Sequence, residues 1–251
     1  MLFKRLLPLS LMAVLATSAC TFQLGDPVAV QPTPQTSVKT DAPQTGDGPA
    51  TEEPGVPTAN QSFSDSEVTQ EINDAVEVVN TYWQTHWSEF FTGTYSAPQV
   101  RGSYSGTDPN RFTCSGEPAA EMNAYYCIQE DYVAWDFNLM REGYAQGDAW
   151  IYLVVAHEWG HAIQNRLDDS LVDVAGELQA DCLAGAVLYG STTDGILQWE
   201  PGDTAEISAG LTTLGDESPW ADPSSHGDSI ERVSAFGKGR IGGVAGCLAS
   251  S

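Results

Sequence analysis

The sequence is short of positive charge. Ten Lys and Arg stand against 34 Asp and Glu, a formal net charge of −24 over 251 residues. So acidic a chain repels phosphate backbones and anionic headgroups, which excludes nucleic acid as a partner and a membrane as an electrostatic one. Long apolar runs are also lacking. The run Leu6 to Ala16 is broken by Pro8 and Ser10 and reaches about half the ~20 residues that a spanning helix needs. No two cysteines form a CxxC pair, which argues against a zinc site made from thiolates, the rival reading of the cysteines. Internal repeats are missing. Histidine numbers only four, which makes any ordered pair of them informative.

What is there falls into three parts. Lys4 and Arg5 precede the short apolar run, and Thr17-Ser18-Ala19 leads into Cys20. This is the layout of a secretory leader over 1–19. It resembles a bacterial lipobox, with Thr17 where that motif usually has leucine, and the resemblance implies that Cys20 carries a lipid. Residues 20–64 are rich in Pro, Thr and Gly and read as a disordered tether that cannot bury enough apolar surface to offset ordering entropy. Residues 65–251 are long enough for one domain with its own core. Beyond Cys20 remain Cys114, Cys127, Cys182 and Cys247. An even number in an exported chain implies two disulfides and an extracytoplasmic location. Three connectivities are possible, and spacing favours Cys114–Cys127 with Cys182–Cys247.

Periodicity gives an α+β domain that is mainly helical with a small hairpin. Ser64 and Glu67 form a capping box, and Val68, Ile72, Val76, Val79, Trp83, Trp87 and Phe90 recur at helical spacing. Thr92 to Glu121 reads as an irregular excursion. Tyr125 to Ile128 and Tyr132 to Trp135 read as a β-hairpin. Further helices are expected from an Asp148 cap to about Arg166, from Ser170 to Tyr189 with a stop at Gly190, and from an Asp203/Glu206 capping pair to about Leu214. A short last helix near Ser229 to Phe236 should stop at Gly237.

The chemistry lies in Ala156-His157-Glu158-Trp159-Gly160-His161. Histidines four apart lie one turn apart on one helix face, where both rings reach one zinc ion. Glu158 between them is placed to accept a proton from an activated water rather than to ligate. Gly160 leaves room for close packing. A catalytic zinc needs a third protein ligand. Glu177, sixteen residues after His161 on the next expected helix, is the best candidate, with Asp168, Asp169 and Asp173 as rivals in the turn. Asp181, one turn past Glu177, can accept the free ring N–H of a ligand histidine. His226 is either a donor to the reaction's oxyanion or a cap for the helix that begins near Ser229, with Tyr132 and Tyr144 as weaker donors. His86, on the first helix, reads as structural.

AHEWGHAIQ followed by ELQADCLAG resembles the neutral zinc metallopeptidase family of bacterial envelopes, of the gluzincin type. YCIQEDYVAWD, with Ile128 where that family commonly has proline, and the Ser225-His226-Gly227-Asp228-Ser229 segment before Glu231-Arg232-Val233 are similar to it as well. Cys182 and Cys247 fall where the family has cysteines. Over Val68 to Cys247 the resemblance implies a zincin-like fold with His157, His161 and Glu177 as zinc ligands and Glu158 as general base. The expected function is hydrolysis of peptide or protein substrates laid along the edge of the Tyr125–Trp135 hairpin, on a domain held to a membrane through its lipid anchor only. The rival function is a catalytically silent surface lipoprotein that uses the same scaffold to bind a partner or an envelope polymer.

Overall fold

The computed structural model describes residues 63–222 and 225–249. The leader 1–19, Cys20 and the tether up to residue 62 lie outside the described residues. Phe63 and Ser64, assigned to the tether by composition, belong to the domain. Helix α1 (Asp65–Phe90) starts on them. The Glu67 carboxylate accepts the Ser64 N–H at 2.6 Å, and the Ser64 hydroxyl accepts the Glu67 N–H at 3.3 Å. This is the reciprocal capping that the sequence announces. Phe63 packs edge-on against Tyr144, ring centroids 5.1 Å apart. Val68, Ile72, Ala75, Val79, Trp83 and Trp87 form the buried face.

The stretch expected to be irregular contains strand β1 (Gln99–Tyr104) and a small hairpin of β2 (Thr113–Cys114) and β3 (Glu117–Pro118). Strand β1 runs parallel to β5 (Tyr132–Asp136), and β4 (Ala124–Cys127) pairs antiparallel with β5 on its other side. The result is a mixed sheet in the order β1-β5-β4. With β5 in the middle, β4 supplies the one edge that the expected hairpin leaves open. A disulfide from Cys114 to Cys127 fixes the β2–β3 excursion to the end of β4.

Helix α2 (Phe137–Tyr144), unforeseen in the sequence, follows β5 directly. Its cap is Asp136, whose carboxylate accepts the Asn138 N–H at 3.0 Å. Helix α3 (Ala149–Gln164) is the hub. From Ala149 to Gly160 every residue but Tyr152 is buried, and the helix packs on α1, on the sheet, on α4 (Gly176–Thr193) and on α5 (Asp203–Thr213). The expected caps are only partly realised at this point. Asp148 occupies the N-cap of α3, where its carbonyl accepts the Ile151 N–H at 2.9 Å but its side chain makes no cap bond, and Glu206 from α5 instead accepts the Ala149 N–H at 3.3 Å. Asp203, inside α5 rather than capping it, accepts the Glu200 N–H.

Helix α4 begins at Gly176, six residues later than expected. Only a short 3-10 turn, Asp169–Leu171, precedes it, and the helix passes Gly190. Helix α6 (Ser229–Cys247) runs well beyond the expected stop at Gly237, with a kink at Gly243. Two glycines on the α4 contact explain its length. A Cβ on Gly239 would overlap the Cys182 carbonyl, and one on Gly185 would overlap the Phe236 carbonyl. The helix persists because tertiary approach, rather than propensity, sets its end. A second disulfide, Cys182–Cys247, ties α4 to the end of α6. Gly239→Ala is expected to cost about 3 kcal/mol by overpacking backbone against backbone; thermal unfolding of the variant beside wild type measures it.

Six helices, the mixed three-stranded sheet and the small hairpin make the described chain an α+β, mainly helical domain. No helix among the described residues is long and apolar enough to cross a membrane. The two disulfides fit an oxidising compartment.

Candidate metal centre

The close approach of α3 and α4 creates the site. Gly160 lies where they meet: an added Cβ would stand 3.0 Å from the Cα and carbonyl oxygen of Ala180. With the backbones so near, the His157 and His161 rings on α3 face the Glu177 carboxylate on α4. His157 Nε2 is 3.2 Å, and His161 Nε2 3.3 Å, from the same oxygen, Oε2. Ligating atoms of all three residues lie within 4.8 Å of one another, in a buried group that could hold a metal ion.

Each ring is set by its other nitrogen. His157 Nδ1 bonds Asp181 Oδ1 at 2.8 Å, and His161 Nδ1 bonds Gln164 Oε1 at 2.9 Å. Both acceptors call for a proton on Nδ1, which leaves the two Nε2 lone pairs aimed at a carboxylate oxygen. Three acceptors brought together in a buried site repel unless positive charge lies between them, and a divalent cation supplies it. Protons serve the same end. Burial alone would lower the pKa of His157, but Asp181 and Glu177 beside it raise it to about 10. Burial would raise the Glu177 pKa, yet the two histidines hold it well below the usual carboxylate range.

Glu158 feels the charges of His157, His161 and Glu177 without joining their group. It is fully buried, and neither carboxylate oxygen has a hydrogen-bond partner among the described residues. Burial pushes its pKa up, against the opposing pull of His157 and His161. A buried carboxylate without a partner is costly, and it needs a proton, a water or a substrate group to face. Two imidazoles and a carboxylate make a donor set that fits a divalent metal ion.

Asp181 is itself held in place. Arg232 of α6 donates from Nε to Oδ2 and from its terminal nitrogen to Oδ1, both at 2.8 Å, and donates again to the Leu214 carbonyl at 2.7 Å. Arg232 and Asp181 are 1% and 0% exposed. Burial alone would raise the Asp181 pKa, but Arg232 and then His157 bring it below the ordinary value. Sequence reasoning met Arg232 and Gln164 only as members of the resembling segments and gave neither a role. Gln164 stands three residues after His161 on the same helix face, a local signal for its role. Its side chain also donates to the Gly176 carbonyl at 2.6 Å, closing α3 onto the start of α4.

His226 does not take the second of the two places expected for it. The cap of α6 is Asp228, in a capping box with Glu231, so the capping role for His226 falls away. His226 is 8% exposed, with Nε2 4.0 Å from Glu177 Oε2 and Nδ1 3.4 Å from Asp216 Oδ1. Burial lowers its pKa, with Glu177 opposing. Asp216, unmarked in the sequence, also accepts the His226 N–H at 2.8 Å. Of the weaker donors, Tyr132 donates its hydroxyl to the Thr113 carbonyl, and the Tyr144 ring packs on Phe63. Asp168, Asp169 and Asp173 do not belong to the buried three-residue group. His86 pairs with Glu89 and with Asp194 at the end of α4, a structural link as expected.

Comparison with protein-family models, curated proteins and solved structures finds no match to this chain.

Proposed function

We propose that the chain is a zinc-dependent endopeptidase of zincin-like fold, with His157, His161 and Glu177 as the zinc ligands. The observation that carries the reading is a buried ligand group beside a buried Glu158 whose oxygens have no partner among the described residues. The resemblance of AHEWGHAIQ and ELQADCLAG to the neutral zinc metallopeptidases supports it. So does the nitrogen and oxygen donor set, which suits zinc. Bound zinc would polarise the scissile carbonyl and lower the pKa of a water to about 7.

The chain's own residues do the rest. Glu158 accepts the proton of the attacking water and passes it to the leaving amine. His226, oriented by Asp216, presents Nε2 to the oxyanion that develops on the carbonyl. Asp181 and Gln164 keep Nδ1 protonated on the two ligand histidines and leave Nε2 for the ion. A substrate main chain adds along the outer edge of β4. On this reading the domain works outside the cytoplasm, lifted from a membrane by a tether lipidated at Cys20.

Cleavage of a denatured protein substrate by the purified full chain, removed by a chelator and restored by zinc, is the expected result. A zinc-replete, folded and inert protein would favour the binding function instead. His226→Ala should lower kcat by about 10²-fold with little change in KM, as for loss of one oxyanion donor; steady-state kinetics on a peptide substrate measures it.

A further inference from the structure

A cavity of about 530 Å³ opens beside the ligand group, with His161 and Glu177 in its wall. The turn between α3 and α4 forms much of the remaining lining, and the end of β4 closes the side opposite. Ile128, Val172 and Val174 give it an aliphatic surface. Ile128 is 43% and Val174 68% exposed. Large aliphatic side chains left in water at the mouth of one cavity mark a place where a ligand's apolar portion comes to rest.

The charges beside them have one sign. Asp169 and Asp173 line the same cavity, and no lysine or arginine does. Arg166, at the adjoining end of α3, is held by Asp131 at 2.7 Å and by the Ser96 and Ala162 carbonyls. Neither aspartate is a member of the metal group, and the fold asks little of them: Asp173 accepts one bond, from the Ala175 N–H at 3.0 Å. An aliphatic wall leading to carboxylates matches a side chain with a long apolar stem and a cationic head.

We propose that this cavity is a substrate subsite for a lysine or arginine side chain, and that the protein acts on cationic peptides. The inference rests on the peptidase reading and gives it a substrate class. The chain's overall acidity attracts cationic peptides towards the site, while Asp169 and Asp173 fix which residue sits next to the metal group.

The test measures binding apart from cleavage. Zinc-loaded full chain carrying Glu158→Gln is titrated with short fluorescent peptides that differ at one residue: lysine, norleucine or glutamate. The lysine peptide should bind about fivefold tighter than the norleucine peptide. Asp169→Asn with Asp173→Asn should erase that difference, since asparagine keeps the acceptor for Ala175. Asp74→Asn with Glu77→Gln, which removes two charges beside a different cavity, should leave it intact. Equal binding of the lysine and norleucine peptides, no binding of either, or a preference that survives the first double substitution overturns the proposal. Cleavage of all three peptides at one rate by the wild type would overturn it while leaving the peptidase reading standing. Binding selectivity without any cleavage by the zinc-loaded wild type would sink the peptidase reading and with it the substrate role of the cavity, leaving a cation-selective binding site.

Discussion

Glu158→Gln is expected to lower peptide hydrolysis by about 10³-fold while zinc stays bound at one equivalent. The substitution keeps the size of the side chain and removes its charge and its capacity to accept a proton. Glu158 takes no part in the ligand group, so the three ligands and their orienting partners remain. Stability gives a second readout. Both Glu158 oxygens are buried without a hydrogen-bond partner among the described residues, so a neutral amide should unfold at the same temperature as the wild type or higher. A structural role predicts the opposite, a loss of stability. Unchanged turnover in a zinc-replete Glu158→Gln protein would remove Glu158 from the reaction.

Arg232→Met should show the largest effect on stability. It leaves Asp181 buried at 0% exposure with its counter-charge gone, and breaking a buried pair from one side costs about 3–5 kcal/mol. The damage reaches the ligand group through two bonds. Arg232 fixes both Asp181 oxygens, and Asp181 fixes Nδ1 of His157. Loss of such an orienting partner weakens metal affinity by about 10- to 100-fold. Arg232→Lys keeps the charge without the two-pronged geometry, so it should recover part of the stability and less of the affinity. Chemical denaturation and zinc titration of the two variants separate these contributions. Wild-type zinc affinity in Arg232→Met would reduce Arg232 to a packing residue.

The parts of this molecule that were legible in its sequence are those whose signals are local. The capping box at Ser64 and Glu67 announces α1, and four-residue spacings place His157 with His161 and Glu177 with Asp181 on single helix faces. The parts that were hidden depend on partners far along the chain. Strand β1 has mostly exposed side chains and a register shift between Val100 and Gly102, and it exists because β5 pairs with it. The glycines of α6 look like stops until α4 is laid against them. Arg232 sits in a run that reads as an ordinary helix start, and its partner Asp181 lies 51 residues away. Asp216 meets His226 through a loop that carries no pattern. Asp148 holds the N-cap position of α3 as read, but the carboxylate that bonds there comes from Glu206 of another helix, and Asp203 falls one residue past the Gly202 cap of α5.

Calorimetric titration of zinc into the metal-stripped full chain tests the central claim most directly, beside the single variants His157→Ala, His161→Ala and Glu177→Gln. One saturable site per chain is expected in the wild type, with affinity falling more than about 100-fold in each variant, beyond the loss for an outer orienting partner. A chain that takes up no zinc, or one whose site survives all three substitutions unchanged, would contradict the account.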